Sequence, residues 1–210
     1  MRPINKGSEP ADFTQWKKGE SPDWNPGWDD LDGTAIKSTV KESLLREQGY
    51  VCCYCEQQVK KADSHIEHLE SRHDFPQRSL DYTNLLACCT RAKHCGSRKG
   101  HRSLRVHPLL TDCREYFIFT GSGDVRPTDV PARNEMAREA ISILGLDIPK
   151  LVAIRRNALD GFIQELEKVE KVEPERAKAM LARIDARDEE GRNTPFASAI
   201  LSVFPPRSST

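Results

Sequence analysis

Residues 52–99 hold most of the information about this chain, and they read CCYCEQQVKKADSHIEHLESRHDFPQRSLDYTNLLACCTRAKHCGSRK. Cysteines cluster at both ends of this stretch, which contains six of the seven cysteines of the chain. A His-Glu-His run made of His65, Glu67 and His68 lies between the clusters, and Asn84 follows it. Paired cysteines that bracket a short segment are typical of a zinc site, and the residues between them indicate hydrolytic chemistry.

The first cysteine pair, Cys52 and Cys55, has the C-x2-C spacing that lets one tight turn present two thiolates to a tetrahedral zinc ion. The second pair combines Cys95 with either Cys88 or Cys89, and the spacing leaves that choice open. Four thiolates would form a closed structural site that stabilises a small, irregular domain. The alternative, a set of reduced core cysteines, explains the paired spacing less well.

The His-Glu-His run has the residue types that phosphodiester hydrolysis requires. A neutral histidine can accept the proton of an attacking water near neutral pH. A divalent ion held by a carboxylate and an imidazole can polarise the phosphate and stabilise the leaving oxygen. Glu67 and His68 supply one residue of each kind, and His65 is a further candidate ligand. Asn84 is predicted either to fix a loop or to orient His68 through a hydrogen bond.

Charge is balanced overall, with 32 basic and 32 acidic residues, so only its distribution is informative. No Asp or Glu occurs between Tyr82 and Thr111, and this window is rich in basic residues. A local positive field beside a candidate site favours a polyanionic substrate, whereas the simpler interpretation is a solvated basic loop. The residues predicted to bind nucleic acid are Arg91, Lys93, Arg98, Arg102 and Arg105.

Targeting and membrane signals are not evident in the sequence. The first residues are polar rather than apolar, and no stretch approaches the roughly 20 apolar residues of a membrane span. We therefore expect a cytoplasmic protein without a membrane partner, in which thiols stay reduced and favour metal binding over disulfides. The chain also lacks the G-x4-GK-[ST] phosphate loop, so we do not expect it to hydrolyse ATP itself.

The predicted fold is α+β and mostly helical, built on a zinc-stapled ββα-metal unit. Within that unit we expect a hairpin of strands 57–59 and 65–69, a short helix from residues 84–86 onward, and a second short helix from Cys95. Residues 115–119 and 125–126 predict another hairpin. Apolar residues at helical spacing predict helices at 34–48, 131–144, 148–171, 175–189 and 195–204.

Three segments follow from these predictions. Residues 1–33 form an irregular N-terminal arm that carries Trp16, Trp24 and Trp28, which we expect to clamp the arm onto the rest of the protein or to dock it onto a partner. Residues 34–128 form the cysteine-bearing unit with the hairpin that follows it. Residues 129–210 form a C-terminal helical region.

The order of these residues resembles HNH endonucleases. More narrowly, it resembles the PtuB-like proteins of Septu anti-phage systems, which also occur as effectors beside retrons. The elements that carry the resemblance are Cys52-x2-Cys55, Glu67-His68, Asn84-Leu85, Cys89 and Cys95-Gly96-x2-Lys99-Gly100. The resemblance is strongest from residue 47 to residue 100 and looser elsewhere.

The resemblance implies roles for individual residues. His68 matches the general base, Glu67 the metal-binding acid before it, and Asn84 the middle asparagine of the motif. The implied ligands of a structural Zn²⁺ are Cys52, Cys55, Cys89 and Cys95, with Cys89 chosen because the family places a cysteine five residues after that asparagine. The implied catalytic ion is Mg²⁺ or Mn²⁺, with Glu67 and His65 as its ligands.

Two features depart from the family pattern. The proline often found shortly after the motif histidine is missing, since the chain reads Leu69-Glu70-Ser71 there. HNH proteins often carry an Asn or His ligand directly after the last cysteine, and this chain has Gly96 there. The candidates for that third catalytic position are Lys99, His94 and His101. A glycine in place of a ligand also leaves open an alternative function, a non-catalytic zinc adaptor that binds nucleic acid or a partner without cutting.

The resemblance further implies partners. PtuB-like proteins act with a PtuA-like ABC-type ATPase, so we expect such an ATPase as a partner of this chain. The expected substrate is DNA or RNA, with tRNA among the candidates. A retron reverse transcriptase with its RNA/DNA product is a further candidate partner.

Overall fold

The computed structural model describes residues 1–19, 25–168 and 174–205. Trp24 and residues 169–171 of the predicted helix 148–171 lie outside the described residues. The described helices are α1 (Ala11–Lys17), α2 (Ala35–Glu47), α3 (Gly96–Lys99), α4 (Pro131–Leu144), α5 (Pro149–Glu167), α6 (Pro174–Asp185) and α7 (Ala197–Val203). The described strands are β1 (Ser64–His68), β2 (Leu85–Cys89), β3 (Phe117–Phe119) and β4 (Val125–Pro127). Helices thus predominate over two small antiparallel sheets, which agrees with the predicted mixed, mostly helical class.

Helix α2 leads the chain into the cysteine-bearing segment. The Thr34 side chain caps it by accepting a hydrogen bond from the Lys37 N–H, and its buried face carries Val40, Leu44 and Leu45. Gly49 follows the helix with a φ of 60°, and a Cβ there would lie 2.5 Å from Asn193 Nδ2. Glycine is required at this position for both reasons. Helix α2, which ends just before it, confirms the helix predicted for residues 34–48.

Strands β1 and β2 form the sheet on which the candidate site is built. They pair antiparallel, with His65 opposite Cys88 and Glu67 opposite Leu86. The predicted hairpin of 57–59 with 65–69 is wrong, because Gln58 forms only an isolated bridge with Val51 and β1 pairs with β2 instead.

The predicted short helix from residues 84–86 is also wrong. Residues Tyr82–Asn84 form a short 3-10 helix capped by the Asp81 side chain, and the chain is extended from Leu85 onward. All five residues of β2 are buried, so they form a continuous apolar run rather than an alternating one. The order strand, strand, short helix is present from Ser64 to Lys99, whereas membership of the ββα-metal class stays a prediction.

The N-terminal arm is more regular than predicted, because it contains α1 and a 3-10 turn, Asp29–Leu31. Phe13, Trp28 and Leu31 are buried in the same apolar core as α2 and β2. Lys6 Nζ also donates to the carbonyl of Leu85 at 3.0 Å. These contacts agree with an arm that is clamped within the molecule.

The predicted second hairpin is confirmed as β3 and β4, and the predicted C-terminal helices correspond to α4–α7. Gly123 in the hairpin turn has a φ of 87°, and a Cβ there would lie 2.4 Å from the carbonyl oxygen of Val152 in α5. The buried Arg155 side chain donates to the carbonyls of Gly123 and Leu146, which ties the hairpin to the helices. The division into 1–33, 34–128 and 129–210 stays a prediction.

Among the described residues, no helix is both long enough and apolar enough to cross a membrane.

Candidate functional site

Four buried cysteines form a cluster between the turn after α2, the end of β2 and the start of α3. The Sγ atoms of Cys52, Cys55, Cys89 and Cys95 all lie within 4.8 Å of one another. Cys52 Sγ and Cys95 Sγ are 3.8 Å apart. A tetrahedral Zn–S₄ centre with bonds of about 2.3 Å has S···S edges of about 3.8 Å. The cluster therefore could hold a zinc ion, and it contains the four residues that the sequence predicts.

Local backbone structure brings these thiols together. A tight turn places Cys52 and Cys55, since the Cys52 N–H donates to Gln57 O at 2.8 Å and the Glu56 N–H donates to Cys52 O at 3.1 Å. Cys95 is held against α4 because its N–H donates to Leu144 O at 2.7 Å. The cluster thus fixes three separate pieces of chain to one another.

Polar contacts around the cluster favour sulfur atoms in their anionic form. The Cys89 N–H donates to Cys52 Sγ at 3.4 Å, and His94 Nδ1 lies 3.2 Å from Cys95 Sγ. Burial raises the pKa of the Cys95 thiol well above its usual range. A bound cation reverses that preference, because a coordinating thiol is deprotonated. His94 thus borders the cysteine cluster, and it stays one of the predicted candidates for the third catalytic position.

A second group of candidate ligands lies on one face of the β1–β2 sheet. His65 and Glu67 are two residues apart on β1, so they share a face, and Cys88 lies opposite His65 on β2. The ligand atoms of these three residues lie within 4.8 Å of one another, with His65 Nε2 3.3 Å from Glu67 Oε2. The alternation of side chains along β1 thus places His65 and Glu67 on one face of the strand.

Gly96 closes over this face with its backbone. A Cβ at position 96 would lie 2.4 Å from Glu67 Oε2 and 3.0 Å from His65 Nε2. A side chain in this place would overlap the carboxylate and the imidazole. Gly96 therefore allows the start of α3 to lie against Glu67, and His65 supplies a second ligand atom from the same strand.

The carboxylate of Glu67 is held by two buried side chains. Lys99 is 1% exposed, and its Nζ lies 3.2 Å from Glu67 Oε1. The Tyr54 hydroxyl donates to the same oxygen at 3.2 Å. Burial raises the pKa of Tyr54 well above its usual range, and the Glu67 charge adds to this effect, so the phenol stays a donor. Lys99 also donates to the backbone carbonyl of His68 at 3.0 Å.

His68 points to the other face of β1 and is 9% exposed. Its Nε2 lies 2.9 Å from the carbonyl oxygen of Ser79, and its ring meets Trp28 edge-on with centroids 4.3 Å apart. Burial, with smaller contributions from the Arg72 and Lys99 charges, lowers the pKa of His68 below its ordinary value. The imidazole is therefore neutral at neutral pH. Because a carbonyl only accepts, Nε2 carries the proton and Nδ1 keeps a free lone pair.

Asn84 is buried beneath the loop that follows His68. Its Nδ2 donates to the carbonyls of Glu70 and Arg78, and its Oδ1 accepts from the Glu70 N–H at 2.8 Å. These bonds fix the loop that ends beside Ser79, which agrees with the first of the two roles predicted for Asn84. Asn84 thus contributes to the position of His68 through the loop that carries Ser79.

The predicted basic residues fall into two groups. Arg98 donates to Ser142 O and Arg102 to Ile143 O, so both side chains bind the carboxyl end of α4. Arg105 pairs with Glu135 and Glu139. Arg91 and Lys93 lie exposed on the loop between β2 and α3. Three of the five side chains thus have internal partners.

Several residues around the site were not predicted from the sequence. Tyr54 and Trp28 contact Glu67 and His68 through the folded structure, and Ser79 contributes only a backbone carbonyl. The presence of Tyr54 inside the CCYC run was a usable signal, whereas nothing in the sequence marks Ser79. Of the candidates for the third catalytic position, Lys99 lies beside Glu67, and His101 packs against His73 with ring centroids 4.8 Å apart.

No family model matches the chain. The chain is similar to a curated protein of Vibrio cholerae serotype O1 biovar El Tor that carries the name "Retron Vc95 putative HNH endonuclease". The two are 26% identical over 141 residues, which cover 63% of this chain and 69% of that protein. This similarity, added to the order of the cysteines and of Glu67, His68 and Asn84, supports the assignment of the chain to the HNH endonuclease family.

Proposed function

We propose that the protein is an HNH-type, metal-dependent endonuclease that hydrolyses phosphodiester bonds of nucleic acid. The observation that carries the proposal is the arrangement around β1. A neutral histidine with a free Nδ1 lies on one face of the strand, and a carboxylate with an adjacent imidazole lies on the other. The similarity to the Vibrio cholerae protein, which is named as an HNH endonuclease, supports the same activity.

His68 is the proposed general base. Its Nδ1 lone pair accepts the proton of the attacking water, while the Nε2–H bond to Ser79 O holds the ring in the correct tautomer. Trp28 and the loop fixed by Asn84 restrict the ring further. Such restriction keeps the base in place, which general-base catalysis requires.

Glu67 and His65 are the proposed ligands of the catalytic ion, since their ligand atoms lie together on one face of β1. A divalent ion bound there would stabilise negative charge on the phosphate and on the leaving oxygen. His68, the proposed base, is the last residue of β1, so a phosphate bound at the end of the strand would approach both the base and the ion.

Lys99 and Tyr54 are proposed to position Glu67. Lys99 contacts both the Glu67 carboxylate and the His68 carbonyl, so it links the two functional residues across the strand. The structural Zn²⁺ is proposed to be bound by Cys52, Cys55, Cys89 and Cys95. The HNH unit of residues 34–128 would then depend on that ion for its fold.

The biological setting is proposed from the resemblance. A PtuB-like protein would act as the effector of an anti-phage complex with a PtuA-like ATPase. The word "retron" in the name of the relative supports a retron-linked setting, with a reverse transcriptase and its RNA/DNA product as candidate partners. The substrate is DNA or RNA, and Arg91 and Lys93 are the exposed candidates for phosphate contacts.

A nicking assay on plasmid DNA and on total tRNA tests the proposal. It compares the wild type with His68→Ala and with His73→Ala, with and without the ATPase and with divalent ions or EDTA. His73 is an exposed histidine and serves as the matched control. We expect cutting that requires a divalent ion and falls by at least about 100-fold in His68→Ala, the lower range for loss of a general base.

The outcomes separate the enzyme from the adaptor. Cutting that persists in a clean His68→Ala preparation would show that the base is assigned to the wrong residue. Absence of cutting under all conditions, with ATPase binding intact, would favour the non-catalytic zinc adaptor. The position of His65 Nε2, 3.0 Å from where a Cβ of residue 96 would lie, supports the enzyme over this adaptor.

A further inference from the structure

We propose that Cys88 is a third protein ligand of the ion at His65 and Glu67, and that this site therefore selects a zinc-like transition metal over Mg²⁺. The catalytic meaning of this inference rests on the proposed nuclease function. The ligand set itself is a separate claim that can be tested without measuring cleavage.

The sheet register places Cys88 at the site. Cys88 is the cross-strand partner of His65, and side chains directly opposite each other on one face of a sheet are in contact. Its Sγ lies within 4.8 Å of the ligand atoms of both His65 and Glu67. The Gly96 N–H donates to Cys88 Sγ at 3.4 Å, so the backbone of Gly96 contacts this sulfur as well as Glu67.

The thiol of Cys88 is not needed by the structural zinc cluster. Cys52 Sγ lies 3.8 Å from Cys88 Sγ, so Cys88 borders that cluster. However, Cys52, Cys55, Cys89 and Cys95 already form a complete set of four, and a structural zinc ion is almost always four-coordinate. Cys88 is therefore available to the neighbouring ion site.

The candidate ligands are closed off on all sides but one. Glu67 and Cys88 are buried, whereas the His65 side chain is 37% exposed. The backbone of Gly96 lies against Glu67, since a Cβ there would be 2.4 Å from Glu67 Oε2. Three protein ligands with one open position are typical of catalytic zinc sites.

The donor atoms determine which metal binds. An imidazole nitrogen, a thiolate sulfur and one carboxylate oxygen suit Zn²⁺ and Co²⁺. Mg²⁺ prefers near-octahedral oxygen ligands and keeps several of its waters. The family resemblance implies Mg²⁺ or Mn²⁺ at this site. The donor atoms instead favour a softer ion such as Zn²⁺ or Co²⁺.

Cobalt titration of the full chain provides the test. Protein that holds one Zn²⁺ per chain is titrated with Co²⁺, with elemental analysis of both metals and absorption spectroscopy of the thiolate-to-cobalt charge-transfer band. The variants are Cys88→Ser, His65→Ala and, as the control, Cys113→Ser. Cys113 is a buried cysteine that belongs to none of the groups of candidate metal ligands among the described residues.

We expect the wild type and Cys113→Ser to bind one Co²⁺ with a charge-transfer band and without release of Zn²⁺. In Cys88→Ser the band should disappear and the affinity for Co²⁺ should fall by at least about tenfold, the lower end of the loss typical when a partner at a metal site is removed. His65→Ala should weaken binding to a similar extent. Mg²⁺ in large excess should not displace Co²⁺ from the wild type.

Three results would overturn the inference. They are a Co²⁺ equivalent without a charge-transfer band in the wild type, an unchanged band in Cys88→Ser, and loss of the tightly held Zn²⁺ in Cys88→Ser. If Cys88→Ser fails to fold, the wild-type spectrum still decides whether a thiolate binds the second metal. Metal binding as expected without any cleavage would contradict the proposed nuclease function and leave the ligand set intact.

Discussion

At the residue scale, Gly96 allows the chain to pack closely against Glu67 at the proposed ion site. A Cβ at this position would lie 2.4 Å from Glu67 Oε2, too close for the carboxylate to stay where it is. Sequence comparison with the family makes this glycine look like a missing ligand. In the folded chain the glycine is instead the residue that allows Glu67 and His65 to lie side by side.

Gly96→Ala should therefore displace Glu67 and weaken the binding of the second metal ion. Inserting a methyl group into a packed site costs about 1–3 kcal/mol, so the affinity should fall by about 5- to 150-fold. Calorimetric titration with Co²⁺ measures this change. Gly121→Ala is the control, because a Cβ there has no atom within 4 Å. Equal affinities in both variants would show that Gly96 is not part of the site.

A second residue of interest at this scale is Lys99, which forms a buried ion pair with Glu67. Its buried ammonium is the cationic partner of Glu67 and also binds the His68 carbonyl. Removing one member of a buried ion pair costs about 3–5 kcal/mol, because the other charge stays buried without a partner.

Lys99→Met should lower the free energy of unfolding by about that amount and should reduce cleavage. Urea unfolding followed by circular dichroism measures the first effect. Lys93→Met is the control, since Lys93 is exposed and should change stability by less than about 0.5 kcal/mol. A Lys99→Met variant as stable as the wild type would contradict the structural role given to this ion pair.

At the element scale, β2 shows where sequence patterns are insufficient. Its five residues LLACC are buried on both faces, and a short apolar run of this kind does not distinguish a strand from a helix. Helix α2 and the β3–β4 hairpin were predictable because a capped helical period and an aromatic strand with a Gly-rich turn are specific patterns. Local pattern thus predicts the elements, whereas the pairing of β1 with β2 depends on distant residues.

The candidate site also contains residues that the sequence indicates and contacts that only the folded chain shows. Three members of the four-cysteine cluster, Cys52, Cys55 and Cys95, were predictable from their spacing, whereas the choice of Cys89 over Cys88 came from the family resemblance. The contacts of His68 with Ser79 and Trp28 were not, because a backbone carbonyl has no signature and Trp28 lies 40 positions away in the chain. Arg98 and Arg102 were assigned to nucleic acid from charge alone, and their carbonyl partners on α4 appear only in the folded chain.

The edge of β2 that faces away from β1 is the basis of a prediction at this scale. The buried side chain of Gln48 accepts a hydrogen bond from the Ala87 N–H at 2.7 Å and donates to the Ala87 carbonyl at 2.8 Å. It therefore takes the place of a neighbouring strand at the centre of β2. A buried backbone donor that loses its partner costs about 1–3 kcal/mol.

Gln48→Ala should lower the free energy of unfolding by about 1–3 kcal/mol. Urea titration measures this, with Gln77→Ala as the control because Gln77 is exposed. The Ala87 amide should also exchange its proton faster in Gln48→Ala. Unchanged exchange at Ala87 would show that another group or a water satisfies this N–H.

At the scale of the whole molecule, the segment before and within α7 depends on the cysteine-bearing turn. The Asn193 N–H donates to Gly49 O at 2.8 Å, and the Phe196 N–H donates to Glu56 O at 3.1 Å. The Ser198 N–H donates to the Glu56 carboxylate at 3.0 Å. Residues far apart in sequence are thus attached to the loop that Cys52 and Cys55 hold in place.

Removal of the structural zinc should therefore release the C-terminal segment as well as the turn. Structural zinc contributes about 10–16 kcal/mol in small zinc domains, which is comparable to the whole stability of a typical protein. We expect chelated protein and Cys52→Ser to lose hydrogen-exchange protection at Phe196 and Ser198 together with Cys52–Gln57. Cys113→Ser is the control, because Cys113 is buried outside the cluster. If only the turn loses protection, the C-terminal segment is held by its own packing on α5 and β3, and the zinc cluster stabilises only the turn.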